Sequence, residues 1–95
     1  MPAYIIADVT INDLNTYKQY QSLTPDTIAK YGGKFIVRGA EHTILEGTNE
    51  SGRIVVLQFE DKASAQRWYD SPEYREARDI RQTCSTSNII LIEGV

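Results

Sequence analysis

Apolar side chains alternate with polar ones at the start of the chain. Every odd position of Ala3–Ile11 is apolar, whereas the even positions mix Tyr4 and Ile6 with polar residues such as Asp8. A period of two is typical of a β-strand that buries one face. The segment therefore predicts a strand with one apolar face and one mixed face.

The next segment changes to the three- and four-residue spacing of an amphipathic helix. Asn12 or Asp13 can cap this helix, and Tyr17 and Tyr20 lie on its apolar stripe. Thr24 followed by Pro25 resembles a fresh helix start, so the helix is expected to kink or restart there. The pair Gly32-Gly33 offers the positive φ angle that ends it.

Two strands and a turn are predicted next. Residues Phe35–Arg38 form the second strand, and Thr43–Leu45 is expected to continue extended structure after Gly39. Residues 46–52 are rich in loop formers and predict a polar turn. Ile54–Glu60 is the strongest strand of the chain, and its apolar core, residues 54–57, predicts cover on both faces.

The last part of the chain predicts helix and then strand. Asp61 can cap a helix with Ala65 and Trp68 on one side, and Ser71-Pro72 matches an N-cap followed by proline at the first helical position. Ile89–Glu93 forms the final strand. The order strand, helix, strand, strand, helix, strand predicts an α+β, ferredoxin-like domain over residues 1–95, with a four-stranded antiparallel sheet.

One face of such a sheet stays bare, because both helices cover the other. Tyr4 and Ile6 lie on the bare face, and an exposed apolar patch usually marks an interface. Two sheets packed face to face would bury it. A homodimer with the architecture of a dimeric α+β barrel is therefore expected.

Composition excludes several classes of partner. The 95 residues include 13 acidic and 10 basic side chains, which gives a formal charge of -3 and offers no basic field to attract nucleic acid or anionic lipid. Apolar stretches are far too short to span a membrane. Cys84 is the single cysteine, so the chain cannot form an internal disulfide, which favours a reducing compartment, most simply the cytoplasm.

One run of residues carries a family resemblance. The resemblance is clearest in segment 60–74, which contains Trp68-Tyr69-Asp70-Ser71-Pro72-Glu73-Tyr74. Four further features match the same family: Tyr17 with Tyr20, Gly32-Gly33, residues 37–39 and residues 92–95. The chain resembles the bacterial domain of unknown function 1330 family of the dimeric α+β barrel superfamily. The resemblance implies the fold and a dimer but no reaction, because the superfamily includes cofactor-free monooxygenases, isomerases, haem-degrading enzymes and ligand-sensing domains.

Four residues are candidates for substrate binding. Trp68 and Tyr74 are similar in position to the pocket aromatics of superfamily monooxygenases, although their spacing also fits ordinary core packing, which is favoured for Trp68. Arg38 and Arg81 could hold a carboxylate or enolate. Internal ion pairs of these arginines with acidic residues are the favoured alternative, with these candidate partners: Asp8, Glu46 and Glu93.

His42 and Tyr17 are the candidates for moving a proton. His42 is the one imidazole of the chain, and an imidazole is the side chain best suited to moving a proton, although a surface role is the more common fate of such a residue. No metal or organic cofactor is expected, since one histidine with scattered carboxylates is a poor ligand set. The sequence thus predicts either a cofactor-free monooxygenase or isomerase acting on a small aromatic or oxo-acid metabolite, or a non-catalytic module that binds a metabolite or a protein.

Overall fold

A computed structural model describes residues 1–48 and 52–95 of the chain. Seven elements follow one another: β1 (Ala3–Ile11), α1 (Leu14–Lys30), β2 (Lys34–Arg38), β3 (Arg53–Phe59), α2 (Lys62–Asp70), α3 (Pro72–Cys84) and β4 (Ser85–Glu93). The strands form one antiparallel sheet in the order β2-β3-β1-β4. This arrangement confirms the predicted α+β, ferredoxin-like fold.

The sheet has a helix face and an open face. On the helix face the odd positions of β1 from Ala3 to Val9 are buried, and they pair with inward positions of β3 such as Leu57 and Phe59. Ile5, Leu57 and Phe59 form the main core together with Ile28, Trp68 and Tyr74. The helices cover this face only.

The open face carries an apolar patch. Pairing along β1 places Tyr4 and Ile6 beside Ile90 and Ile92 of β4 and beside Val56 of β3. Ile90 is 55% exposed and Ile92 is 49% exposed. Ile54 to Val56 are half-buried in the single chain, so the prediction of cover on both faces does not hold for one copy.

The predicted helix caps are present. The Asp13 carboxylate accepts a hydrogen bond from the Thr16 amide, and Asp61 accepts one from Ser64. Ser71 ends α2 in an extended conformation and accepts a hydrogen bond from the Tyr74 amide at 3.1 Å, with Pro72 opening α3. Side-chain capping of this kind satisfies amide groups that the first turn leaves unpaired.

Helix α1 passes through Pro25 without restarting, so of the two predicted alternatives, a kink or a restart, the restart is wrong. The Thr24 hydroxyl donates to the Tyr20 carbonyl at 2.6 Å, and the Thr27 hydroxyl donates to the Thr24 carbonyl at 2.7 Å. A buried stripe that includes Thr24, Thr27 and Ile28 holds this part of α1 against the core. Tertiary packing and side-chain hydrogen bonds therefore outweigh the loss of one amide donor.

The region between β2 and β3 also differs from the prediction. Residues 43–45 are not a strand but irregular, exposed chain, because β2 ends at Arg38 and no neighbouring strand pairs with them. The polar turn predicted over 46–52 falls partly on residues 49–51, which lie outside the described residues. Strand β4 begins at Ser85 and is longer than predicted, since its first residues pair with the end of β1.

A β-bulge interrupts the pairing of β2. Phe35 pairs with Leu57, but the next paired residue is Val37, opposite Val56, so Ile36 is the extra residue. An added residue shifts the alternation of the strand by one position. Arg38, opposite Val55, therefore lies on the helix face.

Candidate functional site

A cavity of about 50 Å³ lies between the helix face of the sheet and helices α1 and α3. Its floor is apolar and consists of sheet residues: Ile5, Ala7, Val9, Val55, Leu57 and Ile89. Its polar side chains come from both layers: Tyr17, Tyr20, Tyr74, Arg38, Arg53 and Arg81. A cavity of this size has room for a few water molecules, and a small flat ligand could replace them.

Three tyrosines are grouped along one side of the cavity. The hydroxyls of Tyr20 and Tyr74 lie 2.8 Å apart and share a hydrogen bond that either can donate. The Tyr17 and Tyr20 ring centroids are 5.2 Å apart. Tyr17 and Tyr74 are buried, so these phenols are held in place by the core rather than by solvent.

Burial keeps two of these phenols protonated. Removal from water raises the pKa of Tyr17, although the nearby charge of Arg53 opposes the shift. Burial raises the pKa of Tyr20 well above its usual value, and Tyr74 adds to the effect. Near neutral pH both side chains are therefore hydrogen-bonding phenols and not bases.

Trp68 has its polar group satisfied within the core. Its indole nitrogen donates to the Thr27 hydroxyl at 3.1 Å, and its ring lies 4.0 Å from the Tyr74 ring, centroid to centroid. A buried indole usually finds such a partner. Trp68 thus packs in the core and presents an aromatic surface to the cavity.

Arg81 is a buried cation without a carboxylate partner in the part of the chain that the structure describes. It is 4% exposed, and its Nε atom makes no hydrogen bond with any described residue. Burial alone would lower the pKa of Arg81, but the neighbouring phenols of Tyr74 and Tyr20 leave it raised, so the side chain is charged. Burying an unpaired charged group is costly.

Two further arginines extend this positive region. Arg53 also has a buried Nε atom without a hydrogen-bond partner among residues 1–48 and 52–95, whereas Arg38 is exposed and its guanidinium lies 4.1 Å from the centre of the Phe35 ring. Neither forms an ion pair within the described residues, where Lys30 and Glu73 make a pair at the outer surface. The internal pairs predicted for Arg38 and Arg81 are therefore not found within residues 1–48 and 52–95.

Gly39 makes space for Arg53. Its φ angle is +72°, and a Cβ atom added there would collide with the Arg53 guanidinium. Its amide donates to the Ile54 carbonyl at 2.8 Å. A side chain at position 39 would be strained by the backbone conformation and would displace the arginine.

Five of the six residues predicted for the site line this cavity: Tyr17, Arg38, Trp68, Tyr74 and Arg81. His42 does not, because it lies in the exposed segment after Gly39. Sequence analysis missed Tyr20 and Arg53 as site residues. The helical spacing of Tyr17 and Tyr20, and the position of Arg53 on the inward side of the alternation in β3, are the signals that identify them.

Within residues 1–48 and 52–95, no group of three or more His, Cys, Asp and Glu side chains is arranged to hold a metal ion. No helix in these ranges has the length and apolar character needed to cross a membrane.

The fold and the cavity can now be compared with known proteins. The chain matches the family described as Domain of unknown function (DUF1330) over residues 2–95. It belongs to this family. No curated protein matches the chain of this DUF1330 protein.

Solved structures similar to the DUF1330 protein share its fold at low sequence identity. A protein of unknown function from Rhodopseudomonas palustris has a TM-score of 0.82 at 19% identity, covering 99% of this chain and 82% of that one. SnoaB, a cofactor-independent oxygenase from Streptomyces nogalater, has a TM-score of 0.68 at 17% identity, with 99% and 93% covered. A dimeric ferredoxin-like protein of unknown function from Jannaschia sp. CCS1 has a TM-score of 0.74 at 10% identity, with 99% and 100% covered.

Proposed function

We propose that this DUF1330 protein binds a small, flat, anionic metabolite in the cavity and converts it without a metal or organic cofactor. The observation that carries the proposal is the cavity's chemistry: Arg38, Arg53 and Arg81 line it together with three phenols, and among residues 1–48 and 52–95 no carboxylate lines it. A site built from cations and hydrogen-bond donors over an apolar floor fits an unsaturated or aromatic oxo-acid.

Arg81 is the group that would hold the negative charge. A carboxylate or enolate oxygen beside it would offset the cost of burying a guanidinium whose Nε lacks a partner. The same contact stabilises an enolate more than its neutral parent, so it lowers the pKa of the bound substrate. The arginine thereby favours the electron-rich form of the substrate, in which such metabolites react.

Two outcomes of an enolate fit the proposal. In an isomerisation, solvent takes a proton from one carbon of the substrate and a proton is returned to another carbon, with no change in oxidation state. In an oxygenation, the enolate reduces O2: one oxygen atom becomes a carbonyl of the product, and the other leaves as water with two substrate hydrogens. The similarity to SnoaB, a cofactor-independent oxygenase, supports the second outcome.

Tyr17 is the proposed proton-moving group. Burial raises its pKa, so it would donate its proton to a carbanion and be restored by solvent or substrate. His42 was a candidate for the same role, but its place in the exposed segment outside the cavity lining supports Tyr17 instead.

Binding calorimetry with a panel of aromatic and unsaturated acids tests this proposal. We expect at least one acid to bind the unaltered protein, and Arg81→Gln to weaken it by tenfold or more, whereas Arg81→Lys retains part of the affinity. Arg75→Gln is the matched control, because Arg75 is exposed on the same helix. Binding that is unaffected by Arg81→Gln, or no binding by any acid, contradicts the proposal.

A second candidate is a non-catalytic module that binds the same class of metabolite. The protonated state of Tyr17 and Tyr20 favours it, since neither phenol can act as a base near neutral pH. Proton exchange of the bound acid in D2O, followed by NMR, and O2 uptake separate the two candidates. Proton exchange or O2 uptake that the unaltered protein shows and Tyr17→Phe loses supports the enzyme. Tight binding of the acid with neither proton exchange nor O2 uptake supports the module.

We further propose that the protein is a cytoplasmic homodimer joined through the open face. The exposed isoleucines of β4 and their neighbours on β1 and β3 form an apolar patch of the kind that usually marks an interface. The Jannaschia protein of the same fold is described as dimeric. The single buried cysteine, Cys84, fits a reducing compartment.

A further inference from the structure

The cavity extends across the whole width of the sheet. Strand pairing places Arg38 beside Val55, Val55 beside Ala7, and Ala7 beside Ile89, and all four residues line the cavity. They form one row perpendicular to the strands. Neighbouring strands are about 4.8 Å apart, so the row spans roughly 14 Å between the Cα atoms of its first and last residues.

Cationic side chains lie toward both ends of this row. Arg38 lies at the β2 end, where Arg53 of the adjacent strand fills the space left by Gly39. Arg81 lies at the β4 end, because it also lines a polar recess formed with Ser85, Ser87 and Ile89 of that strand. The middle of the row is apolar, at Val55 and Ala7.

The two ends differ in burial. Arg81 is almost fully buried and its Nε lacks a partner, as does the hydroxyl of Ser87. Arg38 is exposed at the β2 edge and is held over the Phe35 ring. A ligand that enters from the β2 edge would therefore carry one anionic group inward to Arg81 and leave another beside Arg38.

Resting on the proposed function, we infer that the ligand is a short dianion, a flat unsaturated or aromatic body with an acidic group at each end. A ligand with one acidic group would satisfy only one end of the row. A second carboxylate would form a charge-assisted hydrogen bond with the guanidinium at the other end. The apolar middle of the row fits the flat body between them.

Two pairs of acids of matched shape test this inference by calorimetry at low salt. Terephthalate is compared with 4-methylbenzoate, and fumarate with crotonate; within each pair a carboxylate replaces a methyl group. We expect the dianion of at least one pair to bind about tenfold more tightly than its monoanion.

Arg38→Gln locates the second acidic group. We expect it to weaken binding of the dianion by about tenfold and binding of the monoanion by no more than about twofold, so that most of the dianion's advantage is lost. The substitution is at an exposed side chain, so the fold should persist, and circular dichroism checks this. Arg75→Gln serves again as the control for the loss of one positive charge.

The outcomes separate this inference from the proposal on which it rests. If monoanion and dianion bind equally, or if Arg38→Gln weakens both alike, the inference is wrong and the anion site at Arg81 stands. If none of the four acids binds while other acids of the larger panel do, the dianion class is wrong. If no acid of either set binds, the proposed function fails as well.

Discussion

Individual side chains in the cavity depend on one another for their hydrogen bonds. Tyr20 and Tyr74 share one bond between their hydroxyls, 2.8 Å long, and Tyr74 is buried while Tyr20 is half-buried. When one partner of a buried bond is removed, the other is left unsatisfied, and the loss exceeds the net value of the bond itself.

This dependence predicts the result of a double-mutant cycle. Tyr20→Phe and Tyr74→Phe should each lower the free energy of unfolding by about 1–3 kcal/mol. The double variant should lose clearly less than the sum, because no unpaired hydroxyl of the pair remains. Urea unfolding measures all three, and strictly additive losses would show that the hydroxyls do not interact.

Substitution of Gly39 is the second prediction, and it separates the backbone strain of a positive φ angle from the collision of an added Cβ atom with Arg53. Gly39→Ala should destabilise the fold by about 1–3 kcal/mol because of its positive φ angle, and should also weaken anion binding because the new Cβ displaces Arg53. Gly32→Ala is the matched control, since Gly32 has a φ angle of +79° and nothing within 4 Å of an added Cβ. Gly32→Ala should lose stability, measured by thermal unfolding, and should keep its affinity for the anion, measured by calorimetry. Equal effects of the two variants on binding would contradict the role given to Gly39.

Sequence analysis succeeds for single residues where spacing alone decides their position. Trp68 and Tyr74 lie where helical periodicity predicts them, and Ser71 is the expected cap. It fails for the pairing of Arg38 and Arg81, because a partner's distance depends on the packing of helices against the sheet. His42 shows the same limit, since a side chain's chemical suitability says nothing about where the chain carries it.

Between elements, one polar cluster joins helix α1 to helix α3 outside the core. Glu73 of α3 accepts a hydrogen bond from Lys30 at 2.7 Å and one from Tyr31 at 2.9 Å. The Lys30 ammonium is the main cause that lowers the pKa of Glu73 from 4.5 to about 2. This contact stabilises the pairing of the helices only while Glu73 is ionised.

The third prediction is the pH dependence of stability that follows from this contact. The pKa of Glu73 is lower in the folded state, so its stabilisation is complete above pH 4.5 and is lost as the pH falls from 4.5 toward about 2. Glu73→Gln should flatten the dependence of the unfolding free energy on pH in that window. Glu76→Gln, at an exposed carboxylate of the same helix, is the comparison. If the Glu73 and Glu76 variants give the same acid profile, the contact contributes nothing.

Secondary structure is predictable here to the extent that local signals determine it. Alternation locates β1 to the residue, and the caps locate where α2 and α3 begin. Two predictions fail because tertiary context decides them: packing carries α1 through Pro25, and the segment 43–45 has no partner strand. The bulge at Ile36 gives no local signal, since its β-branched side chain suits regular strands as well.

At the scale of the whole molecule, the open face determines the fourth prediction. Ile90→Glu places a charge in the middle of the apolar patch and should convert the proposed homodimer into a monomer, since burying an unpaired charge is costly. Leu14→Glu, at an exposed apolar residue at the start of α1 away from this face, should leave the assembly unchanged. Sedimentation velocity distinguishes the two species. A monomeric unaltered protein would overturn the proposed dimer outright.

The bulge in β2 has a consequence for how such cavities diverge. Because Ile36 is the extra residue, its loss would leave Phe35, Val37 and Arg38 paired in regular alternation and would keep Arg38 on the cavity side. A strand that kept all its residues but lost the bulge would instead pair Val37 with Val55 and turn Arg38 to the open face, which exchanges a cation for an aliphatic group at the cavity edge with no substitution at all. Among homologous chains, the pairing register of this strand is therefore a better guide to the charge at the cavity edge than the presence of the arginine.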